Sequence, residues 1–362
     1  MHSRFLAAIP VILLNSCQPG GTPICTGPGS EDLTFIETGG RRLLFTGTAP
    51  RANRHPTTAD QSHIEAFDLD RPTNKFAVWE TRPMITDGKV EGFLPVGLHA
   101  MHGPAPQSHG LLYVVSAGWP LKSGGRVVAF RIGQNSLTED ASLTTPFSKL
   151  LATANGITVA RDGTIYVSNF GLLPSCDRPQ CGKLDIPDDE KPPTNTILRF
   201  KPGSKDGCGE WEIVAHGFGG ANGLALTPDE KYLLVCSYHG KCIHAFERTP
   251  ETGDLTGPPI PVQKLGFHPD NLKALGNNEY SVGGQLSTIG AGAQLLFKLP
   301  TGCGGGERFR WKAGEKAKQL TDYTPSLRTD CQSPSTALPV GNKLYAGHIQ
   351  SPGVRAYDLP RE

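Results

Sequence analysis

Six short stretches, spread over 362 residues, carry side chains that bind cations or move protons: Glu31-Asp32, His99, Asn155, Asn222, Asp270-Asn271 and Ser335. Three are carboxylates and three are carboxamides, joined by one imidazole and one hydroxyl. Oxygen donors of this kind suit a hard cation, and flexible ligation from widely spaced positions suits Ca2+ better than Mg2+. Taken singly they say little, since an Asn before Gly is commonly a turn residue and a lone Glu is commonly solvated. Their weight comes from recurrence at one point of a repeated unit.

That unit is a small or polar pair, a short β-prone strand, a tight turn, and a second apolar strand ending in small residues. It is plainest in Ala154-Asn-Gly-Ile-Thr-Val159 followed by Ile165-Tyr-Val-Ser-Asn169, and in Ala221-Asn-Gly-Leu-Ala-Leu226 followed by Leu233-Leu-Val-Cys-Ser237. Further copies open at Glu31, His99, Asp270 and Ser335, giving five intervals that average about 61 residues. A third β-like run follows most copies, at 64–68, 126–130, 196–200, 242–246, 293–297 and 354–357, and Trp211-Glu-Ile-Val-Ala215 reads as an outer fourth strand. Six units of three or four strands predict an all-β, six-bladed β-propeller, whose radial repetition leaves only short, protected edges. The turns at 160–163 and 227–230 fit hairpins between the first two strands of a blade. Inner strands of a propeller all begin near one mouth of the central channel, so the residues opening the repeats are expected to converge there.

Composition agrees. With 35 Lys+Arg against 34 Asp+Glu, the chain offers no bulk electrostatic handle for nucleic acid or an anionic membrane. Its 44 glycines and 31 prolines disfavour a helical bundle. Residues 1–16 hold an apolar stretch from Phe5 to Leu14, too short to span a bilayer. It reads either as a signal-peptide core or as a short N-terminal helix or arm docked on the domain. The expected division is therefore a segment 1–25 and a single propeller domain 26–362, with no transmembrane span. Nine cysteines favour a secretory route with some disulfides over the cytoplasm. Cys176 and Cys181 could close a small loop, and Cys17 or Cys25 could pin the arm. No C-x2-C pair occurs and the histidines lie at no zinc-ligand spacing from the cysteines, so no zinc site is expected.

The stretches Gly29-Ser-Glu-Asp-Leu33, Gly220-Ala-Asn-Gly-Leu-Ala-Leu-Thr-Pro-Asp229 and Asp270-Asn-Leu272 resemble the serum paraoxonase/arylesterase family. Segment order and spacing match from about residue 4 to the C-terminus, and gluconolactonases and strictosidine-synthase-like propellers are more distantly similar. The resemblance implies a catalytic Ca2+ held by Glu31, Asn155, Asn222, Asp270 and Asn271. It also implies hydrolysis of lactones or aryl esters, with His99 as the base that activates water. A second, structural Ca2+ would take Asp32 and the Met101 carbonyl. Three positions depart from the family: Ser116-Ala117 replaces its second His, Gly156 replaces an Asp of the second ion, and Val167-Ser-Asn-Phe-Gly-Leu-Leu173 stands where the family carries an Asp-His pair. These departures admit an alternative, a non-hydrolytic cyclase or Diels-Alderase-type pericyclase of secondary metabolism, and a third class, a binding propeller. The expected substrate is a small apolar ester, lactone or polyene-like compound, selected by loops at 118–122, 171–174, 237–239, 284–286 and 348–350.

Overall fold

Strands such as Leu111–Ser116 and Tyr232–Ser237 are apolar at nearly every position, which suits a strand covered on both faces. In the computed structural model they lie second from the axis, each sandwiched between neighbouring sheets. The structure describes residues 22–28, 30–48, 63–70, 79–80, 84–86, 89–91, 95–102, 110–116, 124–134, 136–171, 177–182, 194–202, 209–288, 303–328, 333–349 and 352–359. The segment 1–16, Cys17, Cys176, the loop 118–122 and the run 293–297 fall outside these residues.

Six antiparallel sheets form the blades of a six-bladed β-propeller. Their inner strands are Ser30–Thr38, Pro95–Met101, Ala154–Val159, Ala221–Leu226, His268–Gly276 and Pro334–Val340, each packed on the next and the last on the first. Blade 3 gains a fifth short strand, Gln180–Cys181, on its outer edge, and a two-stranded ribbon, Met84–Thr86 with Lys89–Glu91, stands apart. Blade 6 joins the chain's two ends: Thr22–Pro28 pairs antiparallel with Pro352–Asp358, placing Thr22 opposite Ala356 and Pro28 opposite Pro352. That strand straddles the division expected at residue 26, so the propeller includes residues from Thr22 onward. Among the described residues no helix is long and apolar enough to cross a membrane.

The core lies between blades. Leu234, Ile243, Tyr280, Phe309 and Trp311 interlock blades 4 and 5, while Val115, Val127, Leu151, Val167 and Leu198 do so for blades 2 and 3. Each such side chain contributes about 1.5–3 kcal/mol by leaving water. Two expectations are corrected. Gly304–Arg310 provides the third strand of blade 5 in place of 293–297. Cys181 is a free thiol; it pairs opposite Ala215 and packs against the core between blades 3 and 4.

One irregularity recurs in all six inner strands. Pairing with the second strand slips just after the start, between Ser30 and Leu33, Pro95 and Gly97, Ala154 and Ile157, Ala221 and Leu224, Pro269 and Leu272, and Pro334 and Thr336. A bulge re-aims the side chain it carries, and here it does so six times at one end of the channel. Glycine follows the bulge where strands crowd most closely. A Cβ on Gly97 or Gly223 would collide with the carbonyl of Asn155 or Asp270, and one on Gly156 would stand 2.7 Å from the Asn222 carbonyl.

Candidate functional site

The bulges bring Glu31, Asn155, Asn222 and Asp270 to the same mouth, all buried. Cross-blade bonds stitch the ring. The Glu31 carbonyl accepts from Ser335 Oγ at 2.5 Å, Thr336 Oγ1 at 2.9 Å and Asn271 Nδ2 at 3.5 Å. Gln285 Nε2 donates to Asp270 Oδ2 and to the Pro334 carbonyl, both at 3.0 Å. Asn155 Oδ1 and Asn222 Oδ1 are buried with no hydrogen-bond partner. So are Gln285 Oε1 and Asn169 Oδ1, at the inner-mouth ends of the second strands of blades 5 and 3. A bare buried amide oxygen costs about 1–3 kcal/mol, and those of Asn155 and Asn222, on the bulges of adjacent blades, suit an electropositive ligand. The donor set, all oxygen with two carboxylates among neutral amides, fits a hard divalent cation.

Asp32 points elsewhere. Its carboxylate accepts from Leu33 N at 2.8 Å and Leu98 N at 2.7 Å. The Lys273 ammonium lies 2.8 Å from it and 3.0 Å from the Leu98 carbonyl. These residues do not fit the second Ca2+ expected at Asp32 and Met101. Gly156 offers no side chain, and an ammonium occupies the point where Asp32 and a backbone carbonyl converge.

His99 is displaced from the mouth. The bulge register makes Val96, not His99, the blade 2 counterpart of Asn155 and Asn222, and Val96-Gly97-Leu98 parallels Asn222-Gly223-Leu224. His99 instead lines a channel cavity of about 300 Å³ with Thr34, Thr158, Ala225, Lys273 and Leu338. These residues lie three positions beyond the mouth residues, roughly 10 Å along a strand. Enclosure there, reinforced by the Lys273 charge, pulls its pKa down to about 3. The expected start of the second repeat is therefore corrected by four residues, to Pro95.

A histidine passed over in the sequence stands closer to the ring. His268 lies two residues before Asp270 on the inner strand of blade 5. Its Nδ1 is 3.0 Å from the Tyr238 carbonyl, which can only accept, so the proton sits on Nδ1 and the lone pair on Nε2. Burial lowers its pKa, aided by Lys241 and His239. Its ring packs 5.0 Å from Tyr238, which meets Phe170 edge-on at 5.4 Å. The sequence signal was His268-Pro-Asp-Asn271, an imidazole set just ahead of the polar pair.

No family model matches the chain, and no curated protein does. Solved structures with similar folds include a putative 6-phosphogluconolactonase from Bacteroides fragilis, with TM-score 0.44 and 15% identity over 83% of this chain and 74% of that one. A luciferin-regenerating enzyme gives 0.47 and 10% over 93% and 92%. The periplasmic gluconolactonase of Pseudomonas aeruginosa gives 0.43 and 13% over 91% and 89%. Likeness of this degree is a likeness of fold, and the paraoxonase resemblance stays a reading of the sequence motifs.

Proposed function

We propose that the protein is a Ca2+-dependent hydrolase of small apolar lactones or aryl esters, acting at the channel mouth. The observation that carries this reading is the pair of bare, buried amide oxygens of Asn155 and Asn222, set in one ring with Glu31 and Asp270. Those four residues would hold the ion, with Asn271 Oδ1 completing the set. Bound Ca2+ supplies Lewis-acid polarisation of an ester carbonyl. The rest is the work of the chain. His268 Nε2, kept unprotonated by the Nδ1 contact with the Tyr238 carbonyl, accepts a proton from water and returns it to the leaving alkoxide. Phe170 and Tyr238 give an apolar wall beside it, shielding the acyl or aryl part from solvent.

The test is a panel of aryl acetates and γ- and δ-lactones, assayed with measurement of bound metal. Hydrolysis that disappears with a chelator and returns with Ca2+ supports the reading. Val96 favours a second one, because an apolar side chain stands at the blade 2 position where a base would face the ring. That reading is a non-hydrolytic cyclase or pericyclase, and Ca2+-loaded protein that hydrolyses nothing in the panel selects it.

A further inference from the structure

We infer a second metal site of different chemistry on the flank of blade 4, formed by Asp177, Cys242 and His244 and suited to Zn2+ or another borderline-soft divalent ion. It does not rest on the function proposed for the channel mouth.

Cys242 and His244 alternate along the strand Cys242–Arg248 and therefore share a face. Asp177, from the segment ahead of Gln180–Cys181 in blade 3, comes over that face. Cys242 Sγ lies 3.1 Å from His244 Nε2 and 3.0 Å from Asp177 Oδ2, and His244 Nε2 lies 3.1 Å from the same oxygen. A catalytic relay would hand a proton through the two ring nitrogens to two different partners. Here sulfur and carboxylate both meet Nε2, while Nδ1 is buried with no hydrogen-bond partner. Three donor atoms facing one point describe a ligand set.

The surroundings hold this set in place. Asp177 Oδ1 accepts from Gly219 N at 3.0 Å and Ser237 Oγ at 2.5 Å, which fixes the carboxylate so that Oδ2 faces the other two donors. Gly240 makes room, because a Cβ there would collide with Asp177 Oδ2. His244 and Asp177 are 12% and 20% exposed, so an ion can enter and water can fill a fourth position. With Zn–S near 2.3 Å and Zn–N or Zn–O near 2.0 Å, a tetrahedral ion needs donor separations of roughly 3.3–3.6 Å. The triangle opens by a few tenths of an ångström to reach them. Binding expels the Cys242 thiol proton to solvent, while His244 binds through Nε2 as the neutral imidazole with its proton on Nδ1. A thiolate discriminates against Ca2+, whereas the mouth offers only oxygens, so the two sites sort ions by donor type. The sequence signal is Cys242-Ile-His244, a strand spacing distinct from C-x2-C.

The test uses the full chain, stripped by a chelator and returned to Ca2+ buffer. Adding Co2+ should raise a thiolate-to-cobalt charge-transfer band that saturates at one equivalent and is absent in Cys242→Ser. Zn2+ should slow alkylation of Cys242 in the wild-type protein more than tenfold, read by peptide mass spectrometry against Cys181 as the reference thiol, while Ca2+ should not. Equal Co2+ spectra for wild type, Cys242→Ser and His244→Asn overturn the proposal. If Cys242→Ser fails to fold, alkylation of the wild type decides, and a Cys242 rate indifferent to Zn2+ overturns it.

Discussion

Asn155 and Asn222 each bury an amide oxygen that no hydrogen bond offsets, and such groups are kept where a ligand uses them. Replacing one with an apolar side chain of similar size has two opposite expected effects. Asn222→Leu should weaken Ca2+ binding by at least the roughly 10–100-fold typical of disturbing a metal's outer partners, read by calorimetric titration. In excess chelator the same variant should melt no lower than wild type, because a bare polar atom has been removed. A lower melting temperature there would show that Asn222 is held by the protein rather than kept for a cation. The two histidines should separate as cleanly: His268→Gln is expected to lower hydrolysis about 10²–10⁴-fold, and His99→Gln to leave it unchanged. The ring residues were legible because Asn-Gly recurs ahead of an apolar strand in two blades and pairs led by a carboxylate, Glu31-Asp32 and Asp270-Asn271, take the same place in two others. His99 misled because blade 2 has no polar residue at its bulge, and Gly97 alone marks the register. His268 went unseen because it precedes the polar pair rather than belonging to it.

Among the strands, blade 5 shows how far composition can mislead. Gly304–Arg310 opens with three glycines, poor strand formers by propensity, yet pairs with Glu279–Gln285 along its whole length. Packing demands them: a Cβ on Gly305 would lie 2.7 Å from Phe267, and one on Gly306 2.8 Å from Leu327. The apolar run 293–297 carried the stronger local signal, but local preference does not report cross-blade crowding. The same strand buries Glu307, which accepts from Gln263 at 3.1 Å and Gln319 at 3.2 Å. Burial, with the nearby Asp322 charge, pushes its pKa up to about 7, above the usual 4.5. The folded state therefore holds the proton more tightly than the unfolded chain. Stability from this group is complete below about pH 4.5 and is lost as pH rises to about 7, by ~3 kcal/mol at most. Glu307→Gln should flatten that decline in denaturant titrations across the interval. An equally steep decline in the variant would place its source elsewhere.

At the scale of the molecule, closure depends on Thr22–Pro28, among the described residues the one strand of blade 6 that comes from the N-terminal side. Deleting residues 22–28 leaves Pro352–Asp358 as an open edge. The deleted protein should melt at lower temperature and associate through that edge, as seen by light scattering; unchanged melting would mean the ring closes without it. The sixfold period was legible from sequence because every blade repeats one strand pair around one buried bulge. What fills the axis was not legible, because it depends on a residue reaching across blades: Lys273 of blade 5 meets Asp32 of blade 1 and the Leu98 carbonyl of blade 2. Deleting that ammonium would strand a buried carboxylate at a cost of about 3–5 kcal/mol. A positive charge tethered to the backbone cannot be dialysed away or outcompeted. Three blades thus stay clasped at the hub in a medium depleted of every free ion.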